Sequence, residues 1–117
     1  MGMEDPTPDA LRARYRQRLD AELAALRAAS DGTSTDRRPV ELDQSSVGRL
    51  SRMDAMQQQA MAAAQEARRA GRRTALEAAL RRLGGEDFGF CEACGAFIGW
   101  KRLDLDPTLR RCMGCAG

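Results

Sequence analysis

Histidine is absent from this chain of 117 residues, so no Ser/His/Asp arrangement exists and no imidazole is available to a metal. Aromatic residues make up only 4% of it, too few for a thick globular core. The abundance of Ala, Arg and Leu favours helices instead. Lysine is nearly missing: Lys101 is the only one, and the rest of the positive charge is arginine. Charge of one sign is not in excess either. Nineteen basic against 17 acidic residues leave a net charge of +2, which argues against a protein that coats nucleic acid. No apolar run approaches the ~20 residues that span a bilayer, so no membrane segment is expected. Met1 to Asp9 carries Glu4, Asp5 and Asp9 and lacks a basic start followed by an apolar stretch, so no secretory signal and a cytoplasmic location are expected. No glycine-rich phosphate loop is present and no acids mark an evident cleft. Enzymatic activity is not expected.

Cysteine is scarce too, but the four present are grouped. Cys91-Glu92-Ala93-Cys94 and Cys112-Met113-Gly114-Cys115 form two Cys-x-x-Cys pairs close to the C-terminal end. Each such turn points two thiolates at one centre, and two turns complete the tetrahedron that Zn²⁺ accepts. With no other cysteine or histidine, the expected site is a closed, structural zinc site of four cysteines. A rubredoxin-like iron centre uses the same ligands. Disulfides are the alternative reading, disfavoured in a reducing compartment.

Residues 1–9, with Gly2, Pro6 and Pro8, read as a flexible tail, and Asp9 as the cap of a helix beginning at Ala10. Leu11, Tyr15, Leu19, Leu23 and Leu26 then recur at spacings of three and four, an amphipathic stripe that should end near Ser30. Asp31 to Pro39 are turn formers. A second helix is expected to start between Asp43 and Ser46 and to run to about Leu83. That rod is on the order of 55–60 Å long. Its expected inner stripe is Val47, Leu50, Met53, Ala60, Ala64 and Ala67, then Ala75, Leu76, Ala79, Leu80 and Leu83. Met53, Met56 and Met61 are expected to pack between the helices, and the alanines to permit a close approach. Gly71 is expected to mark a bend or a close contact. The resulting fold class is mainly α: an antiparallel helical hairpin (coiled coil) over residues 10–83, its tip near 31–45, followed by a small C-terminal four-cysteine zinc-finger module over 84–117. Phe88, Phe90, Phe97, Ile98 and Trp100 are expected to make a mini-core on the metal and the second helix. A module of ~30 residues cannot build a core alone, and structural zinc supplies roughly 10–16 kcal/mol of apparent binding energy at neutral pH.

Several residues carry a resemblance. Glu86-Asp87-Phe88-Gly89-Phe90-Cys91-Glu92-Ala93-Cys94-Gly95, then Ile98, Arg102-Leu103, Pro107 and Cys112-x-x-Cys115, resemble the zinc finger of the DksA/TraR family. Pro39-Val40-Glu41-Leu42-Asp43-Gln44 and Gly48-Arg49-Leu50-Ser51-Arg52-Met53-Asp54-Ala55 look like the shorter, TraR-annotated members. The resemblance implies a bacterial transcription regulator that binds RNA polymerase rather than DNA. Its coiled coil would enter the secondary channel, its tip carboxylates would reach toward the active centre, and the alarmone ppGpp would be a further partner. The founding members carry two aspartates in an Asp-x-x-Asp-x-Ala pattern at the tip, which this chain lacks. Glu41 and Asp43 are the nearest acidic pair, and Asp43 also suits a helix N-cap.

Arg68, Arg69, Arg72 and Arg73, with Arg81 and Arg82 beyond, form a basic stretch whose plain reading is a solvated helix face. The sharper reading has Arg68 and Arg72 touching an acidic partner surface or a phosphate. Arg102, Arg110 and Arg111 beside the cysteines invite the same question, offset by Glu92, Asp104 and Asp106. The leading expectation is thus a monomeric, zinc-binding regulator of transcription initiation acting on RNA polymerase. The alternatives are a zinc-finger nucleic-acid-binding protein and a structural helical adaptor.

Overall fold

Thr7 sets where the first helix begins. Its Oγ1 accepts the Ala10 N–H at 3.1 Å, and Pro8 takes the first helical position, where no N–H is needed. Helix α1 therefore covers Pro8–Gly32 and starts ahead of the expected Ala10. The cap is Thr7 rather than Asp9, whose carboxylate pairs with Arg12 at 3.1 Å. This computed structural model describes residues 5–33 and 49–116. Helix α2 covers Arg49–Leu83, 35 residues without a break, ending where the composition predicts. Its expected start between Asp43 and Ser46 lies outside the described residues. So do Val47 and the tip acids Glu41 and Asp43. The two long helices pack antiparallel, and two short ones follow: α3 (Trp100–Leu105) and α4 (Met113–Ala116).

The fold divides into two compact units, Met1–Ala24 with Thr74–Gly117, and Ala25–Arg73. In the first, the apolar stripe of α1 behaves as its spacing predicts. Leu11, Tyr15, Leu19 and Leu23 are buried, with Leu76, Ala79 and Leu83 of α2 and Phe88, Ile98 and Leu103 of the C-terminal module. Each large side chain withdrawn from water here contributes roughly 1.5–3 kcal/mol. The module thus has a core after all, built with wall residues from both long helices.

In the second unit the expected stripe fails. Ala60, Ala64 and Ala67 face solvent, and Met53, Met56 and Met61 are 50–64% exposed. The methionines precede Glu66 in α2, and Glu66 already meets Ser30, near the end of α1. They therefore lie past the part of α1 that could cover them. The covered side of α2 carries Ala62, Glu66, Arg69 and Arg73, all partly buried. Ser30 takes the place of the next leucine in the α1 stripe and is 8% exposed. Its hydroxyl donates to Glu66 at 2.9 Å and accepts from Arg73 at 2.6 Å. Arg69 bonds both Glu66 (3.0 Å) and Thr33 (2.8 Å). A hydrogen-bonded polar cluster replaces the close alanine seam. Gly71 makes no close contact: α2 is assigned continuously through it, and a Cβ there would meet open space.

Candidate metal centre

The first cysteine turn is shaped by backbone hydrogen bonds. Cys91 N–H donates to Ala96 O at 2.8 Å, Gly95 N–H to Cys91 O at 2.9 Å and Ile98 N–H to Gly89 O at 2.8 Å. These close a small antiparallel knuckle with a bridge between Phe90 and Phe97. Gly89 has φ +87°, and a Cβ there would press on Leu11 at 3.3 Å. Only glycine meets both demands. The second turn opens α4, with Cys115 N–H donating to Cys112 O at 3.1 Å. Glu92 N–H joins the two turns by donating to Arg110 O at 2.8 Å.

These turns bring the Sγ atoms of Cys91, Cys94, Cys112 and Cys115 within 4.8 Å of one another. All four thiols are free, so the disulfide reading does not hold. Cys94 Sγ and Cys112 Sγ stand 3.7 Å apart. A tetrahedral ion with ~2.3 Å bonds to sulfur requires a separation of ~3.8 Å. Four thiols so close cannot ionise independently. Backbone hydrogen bonds, that of Cys112 foremost, hold the Cys91 thiol down to about 6. Side-chain hydrogen bonds with Cys112, Cys91 and Cys94 push Cys115 up to about 12. A divalent cation lets all four take the thiolate form together. The donor set and its geometry fit Zn²⁺.

Helix α1 grips this module through residues the sequence left on a solvent face. Arg14 holds Asp104 in a two-pronged pair at 2.6 and 3.0 Å, and Tyr15 Oη donates to the same carboxylate at 2.8 Å. Those bonds, Arg14 foremost, hold the Asp104 carboxyl down at about 2. The Arg14 guanidinium lies 4.9 Å from the Trp100 ring centroid. The Tyr15 ring stands 5.6 Å from Phe88 and 6.2 Å from Trp100, and Phe97 meets Trp100 edge-on at 5.3 Å. Arg18 donates to the carbonyls of Asp104 and Leu105 at the end of α3. Arg12 does the same for α2, reaching Leu83 O at 2.8 Å, Gly85 O at 3.2 Å and Gly84 O at 3.3 Å. The last carbonyls of a helix lack partners within it, and a cation there also suits the helix dipole. The mini-core therefore rests on α1 as well as α2. Tyr15 was the available signal, as the one hydroxyl in a leucine stripe, since a buried phenol needs a partner. The three arginines carried none.

The remaining expected residues are spread out. Arg68 is exposed, and Arg72 is half-buried with interactions of its own. Arg69 and Arg73 belong to the Ser30–Glu66 cluster, so the basic stretch is not uniformly solvated. Beside the cysteines, Arg111 pairs with Glu92 at 3.3 Å, Arg110 approaches it at 3.9 Å, and Arg102 donates to Arg111 O. No helix among the described residues is long and apolar enough to cross a membrane.

Comparison with known proteins agrees with this geometry. Residues 86–117 match the prokaryotic dksA/traR C4-type zinc finger. The RNA polymerase-binding transcription factors DksA of Haemophilus influenzae and Escherichia coli are each 45% identical to this chain over 40 residues, 34% of it. That stretch covers 28% and 26% of those two proteins, so the match spans about a quarter of their length. The solved structure of transcription factor DksA2 from Pseudomonas aeruginosa superposes with a TM-score of 0.58 at 25% identity, over 93% of this chain and 76% of that one. These relatives are named as transcription factors, in line with the expectation of a chain without enzymatic activity. Residues 86–117 thus match the DksA/TraR C4-type zinc finger, and the fold of the chain is similar to that of DksA2.

Proposed function

We propose that this protein is a cytoplasmic regulator of transcription initiation that binds RNA polymerase through its helical hairpin. The observation that supports it most is a DksA-like finger joined to two antiparallel helices in a chain that follows DksA2 over 93% of its length. The zinc holds the module in shape, and the hairpin enters the secondary channel. Arg68, exposed on α2, together with Arg72, meets an acidic surface of the polymerase. Glu41 and Asp43 act at the tip in place of the missing Asp-x-x-Asp-x-Ala pattern. Their different spacing makes the regulatory output differ from that of the founding members, with or without ppGpp.

The test pairs binding with transcription. Core RNA polymerase should retain the protein at micromolar concentration. The Glu41→Ala/Asp43→Ala double variant should bind as the parent does yet lose its effect on initiation in vitro, assayed in the presence and absence of ppGpp. Absence of binding to polymerase sinks the proposal. Binding with an unchanged effect removes the role given to the tip acids.

A further inference from the structure

The cations discussed so far have partners or face water, but Arg82 does not fit that pattern. Its side chain is half-buried at the end of α2, and its Nη2 is fully buried with no hydrogen-bond partner, the one such atom found among the described residues. Burial, with Arg110 nearby, depresses its guanidinium below the ordinary value. A buried guanidinium nitrogen without an acceptor is costly, and folds keep few of them. Arg82 lines a cavity of about 560 Å³ beside the first cysteine turn, together with Glu86, Asp87, Phe90, Glu92 and Arg110. That volume lies in the range typical of small-molecule sites, roughly 300–1,000 Å³.

The charge around the cavity narrows what could fill it. Three carboxylates and two guanidinium groups line it. Glu92 is engaged by Arg111 and approached by Arg110. That leaves Arg82 wanting an acceptor, with the exposed Glu86 and Asp87 offering acceptors of their own. A phosphate dianion would satisfy Arg82 but face the three carboxylates. A simple cation would suit the acids but leave Arg82 bare. A ligand bearing one carboxylate and one ammonium answers both, and the Phe90 ring supplies an apolar wall. We propose that this cavity binds a free α-amino acid, its carboxylate received by Arg82 and its ammonium by Glu86 and Asp87.

The experiment uses the full chain loaded with zinc, at constant ionic strength. The proteinogenic amino acids are titrated one at a time while NMR follows the Arg82 side-chain N–H and the Gly95 amide, both at the cavity. At least one should give saturable shifts. Its amide, its N-acetyl derivative and inorganic phosphate should each bind about tenfold more weakly or worse. Arg82→Leu should abolish the saturable shift of Gly95, keep its zinc and melt no lower than the parent, because it removes an unpaired buried cation. Saturation by no amino acid, equal binding of phosphate, or an unchanged titration of Arg82→Leu overturns the proposal. So does a marked drop in the melting temperature of Arg82→Leu, which would make Arg82 a structural residue.

Discussion

Tyr15 is the single tyrosine of the chain, 1% exposed, its ring against Phe88 and Trp100 and its hydroxyl on Asp104. Burial first, and the Asp104 bond second, raise its phenol from 10.0 to about 12. A raised value means the neutral form belongs to the folded state. Tyr15 therefore stabilises the fold fully below pH 10, and that contribution is lost as the pH climbs toward about 12. Because no other tyrosine contributes, tyrosinate absorbance reports this group alone. The expected midpoint is near 12, falling partway toward 10 in Asp104→Asn; a parent midpoint at 10 would contradict the buried pair. The stripe containing Tyr15 was legible in the sequence because burial of apolar side chains follows helical period. The roles of Arg12, Arg14 and Arg18 were not. A long cationic side chain on the flank of a stripe reads identically whether it ends in water or on a carbonyl.

Helix α2 shows where periodicity misleads at the scale of an element. Its first half has no strongly apolar side, so apolarity alone points to a seam on Ala60, Ala64 and Ala67. The face actually covered passes through Ala62, Glu66, Arg69 and Arg73 and joins the apolar run only at Leu76. The arginine stretch reads as a solvated face, yet Arg69 and Arg73 close a network with Glu66, Ser30 and Thr33. Such a network stabilises one alignment of the two helices over slipped ones, since any shift would leave half-buried charges unpaired. Gly71 lies on the opposite, uncovered side. Its φ is not positive and a Cβ there meets nothing within 4 Å. Gly71→Ala should therefore stabilise the protein by about 0.5–1 kcal/mol, measured by denaturant unfolding. A loss of stability would mean that the glycine serves a contact outside the described residues.

For the molecule as a whole, the cysteine spacing was the most legible feature, because a tetrahedral centre leaves little freedom to the chain that encloses it. Removing zinc with a chelator at neutral pH, or replacing Cys112 with serine, should lower the melting temperature and move the emission of Trp100, the only tryptophan, toward that of an exposed indole. Most of the far-ultraviolet helical signal should persist, carried by α1 and α2. An unchanged melting profile would contradict a structural metal. The contacts of α1 with the module carry a separate consequence. Recognition places a boundary at residue 86, but folding does not. Leu11 and Tyr15 wall off Gly89 and Phe88, and Arg14 and Arg18 hold α3 from a helix far earlier in the chain. A peptide cut out at the family boundary would keep its four thiolates but lose that wall. Proteolytic loss of the first turns of α1 would likewise loosen the finger without touching a cysteine. The unit that is inherited and the unit that folds are different objects here.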